Sequence, residues 1–255
     1  MTVTRRHILL GSALFAATAS AARRPPLIAA ASSLKGLLED FAVTYERETG
    51  QSLRLVFGAT ANLVRQIEQG APFELLLAAD ETSVQHLQAA GLTVGAPTVF
   101  ARGQLSLIVP AASNQPLGQG LPGLAAAIKS GTINRFAIAN PDLAPYGRAA
   151  QQALQTAGLW DLVQPRLLLA ETVVLVASVV ANGGAQAGLT ATSVVKLPGL
   201  AHALRAAPIS ADQHAPIRHV AAGLKGASPA ALAALLRFTS ADQQMQLATH
   251  GLAAP

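Results

Sequence analysis

Short apolar runs alternating with amphipathic helical stretches predict an α/β protein of two lobes, each a mostly parallel sheet flanked by helices. Three observations carry that expectation. The runs, such as Leu27-Ile28-Ala29-Ala30-Ala31, lack polar alternation, as in strands buried on both faces. The stretches between them repeat apolar residues at helical spacing. The chain, at 255 residues, is long enough for one or two sizeable cores.

The first unit is the clearest. After Pro25-Pro26, the run 27–31 ends at Ser32-Ser33, and Leu34, Leu37, Leu38, Phe41, Ala42 and Tyr45 then mark one helix face, with Gly50 as its C-cap. The pattern recurs. Leu53 to Phe57 reads as a strand, Gly58 to Asn62 as a junction, and a helix carrying Leu63 and Ile67 stops at Gly70. Phe73 to Ala79 reads as a strand closed by Asp80, with a helix to about Ala90. Leu105 to Val109 reads as a strand and Leu121 to Lys129 as a helix with Gly131 behind it. Phe136 to Ala139 is a strand leading through Asn140-Pro141 to Pro145-Tyr146-Gly147, and Arg148 to Ala157 a helix. Leu167 to Leu169, Thr172 to Ala181 and Ala185 to Ala191 read as strand, helix, strand. His219 to Leu224 reads as a further strand, followed by helices at Pro229 to Phe238 and Ala241 to Thr249. A ligand cleft is expected where the C-terminal ends of strands from the two lobes face each other.

The N-terminus reads as a leader. Arg5-Arg6 precedes a short apolar run, Ile8 to Ala17, and Ala19-Ser20-Ala21 has the form of a cleavage site. The arginine pair resembles a twin-arginine export signal, so the protein is expected in the periplasm or otherwise outside the cytoplasm. Removing residues 1–21 takes two arginines and no acid, which lowers the formal net charge from +5 to +3. No basic stripe interleaved with aromatics remains, which argues against nucleic-acid binding. The mean hydropathy of +0.39 is assigned to buried strands. The nearest candidate for a membrane span, Leu167 to Ala181, contains Glu171 and closes at Asn182-Gly183-Gly184.

With no cysteine there is no thiolate nucleophile and no sulfur-ligated zinc. Phosphate-loop, dinucleotide, nucleophile-elbow and His-Glu-x-x-His motifs are missing as well. Histidines 86, 202, 214, 219 and 250 default to solvated surface positions, and Asp80 to a helix cap. What the chain does offer is a set of strand-to-helix junctions: Ser32-Ser33, Thr60, Pro145-Tyr146-Gly147 and Glu171-Thr172-Val173. Each helix start presents free N–H groups and the positive end of a dipole. Gathered around one cleft, such donors would hold an oxyanion without a counter-charge.

These junctions resemble those of the substrate-binding proteins of molybdate ABC transporters. The resemblance rests on Ala29 to Leu34, Phe57 to Thr60, Arg65-Gln66-Ile67-Glu68-Gln69-Gly70-Ala71-Pro72, Ala79-Asp80, Ala139-Asn140-Pro141, Ala144 to Gly147 and Gly188 to Ser193. It implies a two-lobed periplasmic-binding-protein fold of type II. The expected division is 1–21 as signal, 22–103 plus 218–255 as one lobe and 104–217 as the other. It also implies the anion contacts: the Ser33 hydroxyl, the Thr60 hydroxyl, and backbone amides at Tyr146 and Val173, with Ser32 a further candidate. A tyrosine donor of part of the family falls on Ala191, which cannot supply it, and the Tyr146 side chain is a candidate substitute. Val174-Leu175 also departs from the more polar residues usual after that junction.

The expectation is therefore an exported monomer, without cofactor, metal ligands or enzyme activity, that binds molybdate or tungstate and delivers it to a membrane permease. Lobe closure would hinge near Arg102-Gly103 and Pro216 to Arg218. The alternatives are the same fold tuned to sulfate, phosphate or a related oxyanion, and, less favoured, an exported phosphoesterase.

Overall fold

The computed structural model describes residues 24–255, so the expected export signal at 1–21 lies outside the described residues. Eleven strands follow in chain order: β1 Leu27–Ala31, β2 Arg54–Gly58, β3 Leu75–Ala78, β4 Thr93–Gly103, β5 Leu105–Pro110, β6 Phe136–Ala139, β7 Leu167–Ala170, β8 Ala187–Ala191, β9 Leu204–Pro208, β10 Ile217–Leu224 and β11 Leu252–Ala253. They form a 6-stranded sheet in the order β11-β4-β10-β3-β1-β2 and a 5-stranded sheet in the order β7-β6-β8-β5-β9.

Both sheets are mixed. In the first, β2, β1 and β3 run parallel, while β10 lies antiparallel to β3 and β4. In the second, β7, β6 and β8 run parallel and β5 opposes both β8 and β9. Most strands of each sheet still point one way, because β4 and β9 regain the common direction through their reversed neighbours. β1, in the middle of the parallel set, carries Ala29 and Ala30 at 0% exposure, which explains its apolar run without alternation.

The helices begin where the parallel strands end. A 3₁₀ turn, Ser32–Leu34, joins β1 to α1 (Lys35–Thr49); α2 (Thr60–Glu68) and α3 (Glu81–Ala89) follow β2 and β3. On the second sheet α4 is Gly120–Lys129, α5 Pro145–Thr156, α6 Trp160–Val163, α7 Val173–Ala181, α8 Thr192–Val195 and α9 Pro198–Ala201; α10 (Pro229–Phe238) and α11 (Ala241–Gln244) close the chain. α1 buries Leu37, Leu38, Phe41 and Tyr45, and Gly50 at φ +70° returns its N–H to the Glu46 carbonyl at 2.8 Å. Asp80 accepts from Ser83 N at 2.7 Å, the expected cap of α3. Phe238 stacks edge-on between Phe41 and Phe100, with centroids 5.1 and 5.0 Å away.

Two expectations need correction, and one strand was not foreseen. The helix expected over 241–249 is α-helical only at Ala241–Gln244. Beyond it Leu247 is buried, and Gly251 at φ +71° turns the chain so that Leu252, also buried, and Ala253 pair with β4. β4 carries Gly95 and Pro97, which interrupt any strand pattern, and one of the two register shifts in its pairing with β10 spans them. The helix expected from Arg148 begins at Pro145, a favoured first-turn residue.

The chain passes between the sheets at two neighbouring places. β4 leads through Gln104 into β5, and β10 starts at Ile217; Gly103 pairs with Ile217, and Arg102 with Arg218. Among the described residues no helix is long and apolar enough to cross a membrane.

Candidate functional site

Ser32, Ser33, Thr60, Tyr146 and Val173, five residues named from the sequence, line one small cavity between the sheets. None of its lining residues is charged. Ser32, Ser33 and Thr60 come from the junctions after β1 and β2, Tyr146 and Val173 from those after β6 and β7. Topology brings them together, because parallel strands deliver their C-terminal ends to one side of each sheet.

Each donor has a local cause. Thr60 is the first residue of α2 and 1% exposed; its Oγ1 accepts from Ala79 N at 3.3 Å. That main-chain group can only donate, so the Thr60 hydroxyl proton is left to point elsewhere. Ser33 Oγ lies 3.0 Å from His219 Nε2, and the Ser33 carbonyl accepts from Ser193 Oγ at 2.7 Å. Tyr146 and Val173 sit in the first turns of α5 and α7, where no carbonyl four residues back can take the N–H. Thr172 caps α7 by accepting from Leu175 N at 3.2 Å, and Thr190 Oγ1 donates to Val173 O at 2.7 Å.

Gly147 follows Tyr146 for a steric reason. A Cβ there would lie 2.3 Å from the Ala139 carbonyl oxygen, so only glycine lets α5 start so close to β6. Three contacts join the sides around the cavity. Ala61 N donates to Leu143 O at 3.1 Å, Asn62 Nδ2 to Glu171 Oε1 at 2.6 Å, and Arg148 Nη2 pairs with Asp80 Oδ2 at 3.0 Å.

His219 is the residue the sequence misplaced. It is 0% exposed rather than on the surface, because β10 is an interior strand between β3 and β4. Its ring packs against Phe100 and Tyr146, each with a centroid 6.0 Å away. The Tyr146 hydroxyl reaches the same wall: a Cβ on Gly103 would lie 2.2 Å from Tyr146 Oη and 3.0 Å from His219 Cε1. Tyr146 Oη and His219 Nδ1 are buried without a hydrogen-bond partner among the described residues. Burial drives the Tyr146 pKa upward, opposed by the nearby Ser33 and Ser193 hydroxyls, so the phenol keeps its proton. Ala191, where a tyrosine donor was expected to be lost, is buried in β8.

A serine hydroxyl 3.0 Å from an imidazole also has the spacing of a nucleophile and its base. Two features argue against that use. Among the described residues no carboxylate orients His219 Nδ1, and burial pushes the imidazole pKa down to about 3, where it is a poor proton acceptor. Among the described residues no group of three or more His, Asp or Glu could hold a metal ion.

Comparison with known proteins agrees with this geometry. The family model for bacterial extracellular solute-binding proteins matches residues 26–252. The molybdate-binding protein ModA of Azotobacter vinelandii is 33% identical over 92% of this chain and 91% of its own length. ModA of Rhodobacter capsulatus is 28% identical over 96% and 92% respectively. The solved structure of the Azotobacter vinelandii periplasmic molybdate-binding protein superposes with a TM-score of 0.82 at 25% identity, covering 90% of this chain and 99% of that one. Two mixed sheets with a donor-lined cavity between them, matched over nearly the whole length, place this chain in the bacterial extracellular solute-binding protein family.

Proposed function

We propose that this chain is an exported receptor that captures molybdate, and tungstate with it, and hands the anion to the permease of an ABC transporter. The observation that carries the reading is the uncharged cavity ringed by the Ser33 and Thr60 hydroxyls and by the first-turn amides of α5 and α7. The near full-length relation to two proteins named as molybdate-binding supports the choice of anion.

In this reading Ser33, Thr60, Tyr146 and Val173 hold the four oxygens, with Ser32 beside them. Each helix start contributes roughly 0.3–1 kcal/mol toward a nearby anion, and each hydrogen bond to a charged ligand roughly 1.5–3 kcal/mol. A cage of donors suits a fully deprotonated tetrahedral dianion. Hydrogen phosphate brings a proton that needs an acceptor, and sulfate is too small to reach every donor at once. Absence of a counter-charge also favours release, because no buried ion is left unpaired when the anion leaves.

Residues 22–103 with 218–255 form one lobe in this reading and 104–217 the other. They close by rotation about the paired segments Arg102-Gly103 and Pro216 to Arg218. The protein works as a monomer, reaches its place through the twin-arginine-type leader, and catalyses no reaction. Ala191, which supplies no donor, is the feature that favours the second reading, the same fold holding another small oxyanion.

Calorimetric titration with molybdate, tungstate, sulfate and phosphate decides between them. Tight binding of molybdate and tungstate with weak or absent heats for the others is expected. Clear binding of sulfate or phosphate, with none for molybdate or tungstate, overturns the reading.

A further inference from the structure

Ser33 and Thr60 share a problem. A hydroxyl has one proton and two lone pairs, and it serves a dianion only if the proton is not already committed to the protein. At Thr60 the Ala79 N–H settles the matter, since a main-chain amide can only donate. At Ser33 the partner is His219 Nε2, and a neutral imidazole nitrogen is a donor in one tautomer and an acceptor in the other. With the proton on Nδ1, Nε2 would accept the Ser33 proton and the cavity would lose a donor. With the proton on Nε2, Ser33 Oγ accepts and its own proton is free.

The surroundings of His219 choose between these. The ring cannot reorient readily: Phe100 and Tyr146 pack beside it, and Gly103 leaves its Cε1 edge no spare room. Nδ1 is buried without a partner among the described residues. A proton there would be an orphaned buried donor, which native structures tolerate less often than an under-used acceptor. A lone pair there, with the proton on Nε2, is the less costly arrangement, and it satisfies Ser33 as well.

We propose that His219 is a positioning residue: its Nε2–H fills the acceptor side of Ser33 Oγ and thereby commits the Ser33 hydroxyl proton to the bound oxyanion. The inference rests on the oxyanion-receptor reading and adds to it a source of selectivity. With one lone pair of Oγ filled by the imidazole, the serine presents its proton rather than an acceptor, so a protonated oxyanion is poorly matched at this corner of the cavity. His219 does not line the cavity itself. It acts from β10, beside the segment where the chain passes between sheets.

Two measurements test it. The first needs no ligand: nitrogen-15 NMR of the imidazole in the purified unliganded protein. The expected result is a protonated Nε2 with a bare Nδ1; a protonated Nδ1 overturns the proposal. The second compares His219→Gln, which keeps a donor near the position of Nε2, with His219→Phe, which removes it. His219→Phe should weaken molybdate binding about three- to tenfold, the loss of one oriented donor, and narrow the gap between molybdate and phosphate. His219→Gln should stay close to the wild type in both respects. Equal affinity and selectivity in all three proteins overturns the proposal, as does an equal loss in the Gln and Phe variants at matched thermal stability. If His219→Phe does not fold, the tautomer and the Gln variant still decide. Wild-type protein that ignores molybdate, tungstate and phosphate alike sinks the oxyanion reading and leaves the tautomer result to judge His219 by itself.

Discussion

The two sides of the cavity are built from different material. From the first sheet come side-chain hydroxyls, Ser33 and Thr60, each needing a partner behind it to aim its proton. In the proposed site the second contributes main-chain amides at Tyr146 and Val173, first-turn groups aimed by the helix itself and owing little to the side chain that carries them. Hydroxyl donors can therefore be removed by ordinary substitution, and their quality depends on residues far along the chain. Amide donors resist substitution and can be removed only by changing the backbone.

The largest effect should come from stripping the hydroxyl side. Ser33→Ala combined with Thr60→Ala removes both donors and also leaves the Ala79 N–H and His219 Nε2 without their oxygen. Oxyanion binding should weaken by roughly 2–6 kcal/mol in total, at about 1–3 per lost donor. Calorimetry measures it, and unchanged affinity would mean that the hydroxyl side does not face the ligand.

The amide side needs a subtler substitution. Val173 is the first residue of α7, where proline fits a helix and its missing N–H costs the helix nothing. Thr172 before it already has φ −132° and ψ 158°, the extended conformation that a following proline requires. Val173→Pro should leave thermal stability nearly unchanged and weaken the anion by roughly 1.5–3 kcal/mol. Equal loss from Val173→Ala would show that the side chain, not the amide, was responsible.

The two sides also differed in how legible they were. Hydroxyls at the ends of apolar runs stand out in a sequence, so Ser33 and Thr60 could be proposed from chemistry and then placed by resemblance. An amide donor has no residue signature. The junctions at 145–147 and 171–173 were legible as helix starts, but the choice of the Tyr146 and Val173 amides within them came only from the family resemblance. His219 was misread altogether: a lone histidine carries no periodicity, and its burial depends on β4 covering β10. β4 was itself hidden by Gly95 and Pro97. The partners behind the hydroxyls were thus less visible than the hydroxyls, because they come from 19 and 186 residues away.

The buried histidine gives the hydroxyl side a pH signature that the amide side lacks. Burial lowers the His219 pKa to about 3, whereas the unfolded chain takes up a proton near 6.5. A base with a depressed folded pKa stabilises the fold fully above the unfolded value and loses that contribution as pH falls toward the folded one. Between about pH 7 and about pH 5 the wild type should lose about 2 kcal/mol of stability through this residue. Urea unfolding at the two pH values checks it. His219→Gln should show a shallower dependence, and an identical slope would mean that His219 is not neutral in the fold.

The smallest predicted effect separates the rim from both sides. Asp80 caps α3 and pairs with Arg148 of α5 at 3.0 Å, while its neighbour Ala79 lines the cavity. If the pair were only a clasp, Asp80→Asn and Arg148→Gln would weaken the anion equally, since either breaks it. Charge predicts otherwise. Asp80→Asn keeps a good helix cap and leaves an unpaired guanidinium near the dianion; Arg148→Gln leaves an unpaired carboxylate there. With the arginine side chain 45% exposed, solvent screens the effect. Arg148→Gln should cost about 1 kcal/mol or less, Asp80→Asn close to nothing, and the difference should shrink at high salt. Titrations of both variants at low and high ionic strength measure the gap. Equal losses that salt does not change would make the rim a mechanical clasp and leave binding to the two donor sides alone.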